Sequence, residues 1–261
     1  MSSASKIIQA AAGNAAGEET YVEDVFSTYL YTGNFSTQTI TNGIDLDGEG
    51  GLVWIKNRSY TYQHHLVDTE RGPTKKLATN STSNEITQTN NVDSFNSDGF
   101  SINFRDEVNS NGRTYASWTF RKAPKFFDVV TYTGTGSVTT VSHNLGSVPG
   151  CIITKRLDLA EPWRVLHRGL NTTSGETLRL NDTAGVQTSS TYFNSTNPTD
   201  SVFTVGTDAG TNASGGSYVA YLFAHNDGDG DFGESGDQDI IKCGSYTGTG
   251  SAGNFVDLGF E

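Results

Sequence analysis

The acidic run from Asp227 to Asp239 holds the most chemically suggestive spacing in this chain. Asp227, Asp229 and Asp231 alternate as the hard oxygen ligands of a calcium loop do. The match then fails, because Phe232 stands where such a loop turns on glycine and Gln238 where its closing bidentate glutamate belongs. A solvated, glycine-rich spacer is therefore the expectation, with a bound divalent cation the lesser alternative. His64, His65, His143, His167 and His225 have no second ligand pair at metal-like spacing beside them, so no metal is expected there. Asp106-Glu107 is a carboxylate pair of the kind glycosidases use, but that chemistry needs the two groups to face each other, and the sequence does not set them so. There is no Gly-x-Ser-x-Gly elbow and no glycine loop leading into a helix to cradle phosphate. Cys151 and Cys243 lie in apolar, strand-like surroundings and read as buried reduced thiols. No catalytic residue and no cofactor is assigned.

Loop aromatics offer a different chemistry. Tyr60, Tyr62, Tyr192 and Phe193 fall within or beside stretches rich in Ser, Thr and Asn. Aromatic faces among amides and hydroxyls suit a glycan or receptor, through stacking and hydrogen bonds. The plainer alternative is that these rings tuck against their own domain. Trp54, Trp118 and Trp163 lie in strand-like runs and are assigned to the core.

The elements that must position these residues come as a repeat. Tyr31-Thr-Gly-Asn34 returns as Tyr132-Thr-Gly-Thr135 and again as Tyr246-Thr-Gly-Thr249. Between the first two, Gly51-Leu-Val-Trp-Ile-Lys56 matches Gly150-Cys-Ile-Ile-Thr-Lys155, and Tyr115-Ala-Ser-Trp-Thr-Phe120 matches Tyr218-Val-Ala-Tyr-Leu-Phe223. A unit of roughly 100 residues is long enough to hold its own core. Apolar residues alternate with period two, and turn clusters separate the runs. Asn111-Gly112 is a hairpin-type dipeptide. The expected fold is all-β: tandem antiparallel β-sandwich domains behind a short N-terminal arm. The expected boundaries are 1–25 for the arm, 26–125 and 126–226 for two repeats, 227–239 for the acidic linker, and 240–261 for the start of a third repeat. The tight first junction around Pro124 suggests stacked, rod-like modules, and the acidic run a looser second joint. Lys6, Ile7 and Ile8 are the arm's candidate docking residues, an ordinary disordered terminus being the alternative. No candidate reactive group recurs in register between the copies.

Charge excludes some partners. A formal net charge of −12 repels phosphate backbones and acidic lipids, so no nucleic acid is expected. No apolar run approaches the roughly 20 residues that span a bilayer, so no membrane insertion is expected, and the N-terminus lacks the apolar stretch of a secretory signal.

Several strings together resemble repeats in structural proteins of marine tailed phages, including phages of cyanobacteria. They are Gly51-Leu-Val-Trp-Ile-Lys-Asn-Arg-Ser59, Asp68-Thr-Glu-Arg-Gly72, Ser94-Phe-Asn-Ser-Asp-Gly-Phe100 and Trp118-Thr-Phe-Arg-Lys-Ala-Pro124. Phe127-Asp-Val-Val-Thr-Tyr-Thr-Gly134, His143-Asn-Leu-Gly-Ser-Val-Pro-Gly150 and Trp163-Arg-Val-Leu-His-Arg168 join them. The resemblance spans residues from about 26 to 261 and brings no catalytic residues. It implies a non-enzymatic virion component such as a tail fibre, assembled in the bacterial host cytoplasm. It also implies a homotrimer whose N-terminal arm docks on other virion proteins and whose distal part meets a host cell-surface glycan. A carbohydrate-binding module protein is the second expectation and a glycan depolymerase the third. The third copy, begun at Tyr246, is expected to continue in protein beyond Glu261, or else to be completed by another chain.

Overall fold

The computed structural model describes residues 19–259. Among the described residues the fold is all-β, built of antiparallel sheets with only four-residue α-helices, the first of them α1 (Val22–Val25), and one short 3-10 turn between them. In the first repeat, β1 (Phe26–Thr32), β9 (Thr114–Arg121), β3 (Gly51–Asn57) and β4 (His65–Asp68) form one sheet in that order. A smaller sheet joins β2 (Gln38–Thr41), β8 (Gly99–Ile102) and β7 (Val92–Asn96), and β5 (Lys75–Lys76) pairs with β6 (Ile86–Thr87). The second repeat repeats this plan. Its large sheet runs β10 (Phe127–Thr133), β17 (Ser217–Phe223), β12 (Cys151–Arg156), β13 (Arg164–His167), β14 (Glu176–Arg179), β15 (Gln187–Thr188). Its small sheet keeps only β11 (Thr139–Ser142) and β16 (Val202–Val205).

Register explains why the tyrosine signature recurs. Tyr31 lies opposite Tyr115 across β1 and β9, and Tyr132 opposite Tyr218 across β10 and β17. The rings stack at 5.0 Å and 5.1 Å. In each copy both hydroxyls donate to carbonyls of a short helix, α2 (Asp106–Asn109) in the first and α4 (Ala209–Asn212) in the second. The glycine after the signature threonine permits this closure: a Cβ on Gly33 would collide with the Ser110 carbonyl, and one on Gly134 with the Ala213 carbonyl. Asn109 and Asn212, at the ends of those helices, then bridge back to the turn after the signature. Asn111-Gly112 serves this same closure, linking α2 to β9 and not two strands.

Alternation along β3 divides its side chains between two cores. Val53 and Ile55 pack with Ile40, Phe100 and Ile102 between the two sheets of the first repeat. Leu52 and Trp54 point the other way, toward Val129, Trp163, Val219 and Tyr221 of the second repeat. A third cluster, including Val141, Ile152, Phe203 and Leu222, lies between the sheets of the second repeat. The large sheets are thus buried on both faces, which is why Leu-Val-Trp-Ile reads as a continuous apolar run. The repeats are not beads on a rod. Their large sheets meet face to face through a shared core, in which each fully buried large side chain contributes about 1.5–3 kcal/mol. Of the tryptophans assigned to the core, Trp163 is fully buried just ahead of β13, while Trp54 and Trp118 are half-buried in their strands.

The acidic run is also not a solvated spacer. Phe232 is 2% exposed and joins the shared core, edge-on to Phe126. Asp239 accepts from the amides of Gly228 and Gly230, Lys125 Nζ donates to Asp231 and to the Asp229 carbonyl, and Gly233 N donates to the Thr20 carbonyl. Burying one ring and satisfying the backbone locally outweighs the hydration of the surrounding carboxylates. The third signature behaves otherwise. Tyr246 is 73% exposed, and among the described residues no strand pairs with it.

Candidate functional site

The strongest electrostatic arrangement lies in the seam between the repeats. Asp68 ends β4 and is fully buried. Arg71 follows in the adjoining turn, its Nε donating to Asp68 at 2.7 Å and its Nη1 to Glu85 at 3.0 Å. From the second repeat, the Tyr221 hydroxyl donates to Asp68 Oδ2 at 2.7 Å and accepts from Arg71 Nη2 at 3.1 Å. Burial pulls the Arg71 guanidinium down, but Tyr221, Asp68 and Glu85 more than offset it and hold it above its ordinary value. Burial likewise pushes the Tyr221 phenol well above the usual tyrosine range. Trp163 crosses the same seam, its indole donating to the Ala78 and Ser81 carbonyls at 3.1 Å each. Sequence reasoning had no signal for this set, because its members come from different turns and strands and form no spacing pattern.

The loops after β3 and β12 are built around equivalent lysines. Lys56 Nζ donates to the carbonyls of Asn57, Tyr60 and Tyr62, and Lys155 Nζ to those of Thr82 and Glu161. Desolvation draws Lys155 down to about 8. In the first repeat this loop presents the aromatic pair expected from sequence. Tyr60 is 50% exposed, its ring 4.8 Å from that of Tyr62, with the Arg113 guanidinium 4.5 Å over it. The Tyr62 hydroxyl donates to Asp106 at 3.4 Å.

The other aromatic candidates separate. Tyr192 is half-buried, with the Arg164 guanidinium 3.9 Å over its ring. Phe193 is a correction: it closes the helix α3 (Ser190–Phe193), is 2% exposed and packs with Phe203 and Leu222. A helical turn rotates it inward, so the Ser/Thr/Asn-rich surroundings were a poor guide to its exposure. Lys6, Ile7 and Ile8 lie outside the described residues.

Most of the remaining reactive groups are engaged locally. Asp227 holds Lys242 at 3.0 Å, Asp229 accepts from the Asp227 amide, and Asp231 holds Lys125 at 2.8 Å. Among the described residues no three His, Cys, Asp or Glu side chains converge as a metal site. His64, His143, His167 and His225 each accept a hydrogen bond at Nδ1, from Trp54 or from a nearby amide. Fully buried His65 stands 3.8 Å from Glu107, which Lys76 Nζ meets at 2.7 Å. His65 and Lys76 outweigh burial and hold Glu107 down at about 2. Asp106 instead accepts from Ser110 Oγ and from Tyr62, so the two neighbouring carboxylates face different partners. Burial raises both thiols, Cys151 to about 12 and Cys243 to about 11, and both are free. Among the described residues no helix is long and apolar enough to cross a membrane.

No curated protein matches the chain. A family model does, over residues 22–261, and its description is "Domain of unknown function (DUF7483)". Since that match takes in both repeats, the shared core and the docked acidic run, the chain belongs to the DUF7483 family.

Proposed function

We propose that this protein is a non-enzymatic structural component of a phage particle, a tail fibre or fibre-like appendage. In this reading the N-terminal arm docks on other virion proteins, the chain assembles as a homotrimer, and the paired β-sandwich repeats project toward the host surface. The observation that carries the non-enzymatic part is the engagement of reactive groups. Asp227, Asp231 and Glu107 hold lysines, and His167 and His225 accept from nearby amides. The virion part rests on the resemblance of the strings from Gly51 to Arg168 to phage structural proteins. Electron microscopy of intact particles with a labelled antibody tests it: label on the tail or capsid supports the reading, and particles without the protein refute it. Deleting residues 1–20 is expected to abolish incorporation and leave both repeats folded.

A second reading, a carbohydrate-binding module, is favoured by the exposed Tyr60–Tyr62 pair under Arg113. Glycan-array binding lost in Tyr60→Ala would support it. Release of reducing sugar from host polysaccharide would instead point to a depolymerase.

A further inference from the structure

The second repeat contains an open cleft of about 380 Å³ at a place that a buried side chain occupies in the first. Register shows why. Gly150, Ile152, Leu166 and Arg168 in the second repeat correspond to Gly51, Val53, Val67 and Thr69 in the first. In the first, Leu46 is buried against Gly51, and β7 closes the edge of the small sheet. In the second, the connection from Ser142 to Gly150 is two residues shorter than that from Thr41 to Gly51, and Leu46 has no counterpart. The third strand is missing as well, and residues 194–199 pass instead, outside any strand. Plug and edge strand are lost together, and a cleft remains.

Its walls combine two chemistries. Buried Ile152 and Leu166 line the cleft together with Pro149 and Pro198. Three polar side chains meet there: Arg168, Thr172 and Asn197. Thr172 donates to Asn197 Oδ1, which leaves the Asn197 amide nitrogen free to donate. Thr69, the counterpart of Arg168, spends its hydroxyl on the Gly51 amide. Arg168 is exposed, and among the described residues its guanidinium makes no hydrogen bond or ion pair. Asp227 feels its charge but is held by Lys242 at 3.0 Å. A guanidinium with no partner among the described residues, in a cleft that apolar side chains, an amide and a hydroxyl also line, matches a ligand with a carboxylate, an apolar face and a hydroxyl edge.

We propose that this cleft binds a hexuronate unit of an acidic glycan. The carboxylate pairs with Arg168, the C–H face of the pyranose rests on Ile152, Leu166 and the prolines, and ring hydroxyls meet Asn197 and Thr172. The net charge of −12 opposes an anion at long range, so binding comes from contact inside the cleft and not from steering. The proposal stands whether or not the chain sits on a particle.

The test titrates the full chain with glucuronate, glucose and acetate, following Ile152 and Leu166 methyl signals by NMR. Glucuronate is expected to shift both methyls and to bind more tightly than either glucose or acetate. Arg168→Gln is expected to weaken glucuronate about tenfold, equivalent to about 1.4 kcal/mol, and to leave glucose unchanged. Because Arg168 is exposed, its replacement should leave the unfolding transition in place, so a loss of binding is not a loss of fold. Unmoved methyls, equal affinity of Arg168→Gln for glucuronate, or glucose binding as tightly as glucuronate would each overturn the proposal. Acetate matching glucuronate would overturn it too, by making the ligand a bare carboxylate such as a peptide C-terminus.

Discussion

Tyr221→Phe removes one oxygen from the seam between the repeats and nothing else. The ring keeps its stacking partners, Phe127 at 6.5 Å and Trp163 at 6.3 Å, so no cavity opens. The lost hydroxyl donates to Asp68 at 2.7 Å and accepts from Arg71 at 3.1 Å, and both partners are charged and buried. Hydrogen bonds to charged groups contribute about 1.5–3 kcal/mol, and Asp68 would be left short of a donor where water does not reach. The expected loss is therefore about 2–3 kcal/mol. Tyr132→Phe is the internal control, because its hydroxyl donates at 2.8 Å to the uncharged carbonyl of Thr211, and about 1 kcal/mol is expected. Urea unfolding followed by tryptophan fluorescence reads both, as a lower midpoint with an unchanged slope. Because the two repeats share a core, one cooperative transition is expected. If Tyr221→Phe costs no more than Tyr132→Phe, the seam is not the polar clamp described above.

Three further outcomes follow from the same geometry. Phe232→Ala should cost about 3–5 kcal/mol and expose the stretch from Asp227 to Asp239 to protease; unchanged cleavage and midpoint would restore the solvated spacer. Gly33→Ala and Gly134→Ala should each destabilise by about 1–3 kcal/mol and by similar amounts, since each Cβ meets the equivalent carbonyl; tolerance of either would deny the tyrosine closure its role. Folded Glu107 titrates at about 2 against an ordinary 4.5, so its stabilising contribution is complete above pH 4.5 and drains away as pH falls toward 2. Acid unfolding of Glu107→Gln should lack that component, and superimposable acid limbs would contradict it.

Much of the fold was legible because the repeat is written in residues that close it. The tyrosine, glycine and strand-end landmarks recur at positions where rings stack and backbones touch, so the spacing carried the register. The face-to-face pairing was not legible. Leu52 and Trp54 look like ordinary strand residues until the second repeat supplies Trp163 and Tyr221. The acidic run misled because composition averages over its members, and one phenylalanine among the aspartates decided where it went. Of the surface candidates, Tyr60 and Tyr62 stand together as aromatic loops can, whereas Phe193 fell to a single helical turn. The cleft at Arg168 could have been suspected only by noting what the second copy omits.

The shared core has a consequence for counting. Both repeats offer it the same face: Phe26 and Phe120 in one, Phe127 and Phe223 in the other, at matching register positions. An association that uses one patch on both partners is self-limiting, unlike a head-to-tail contact, which can be extended without end. Copies of this unit therefore saturate in couples. Any additional copy would find that face already occupied and would need a fresh companion of its own, so lengthening by this contact proceeds in even steps.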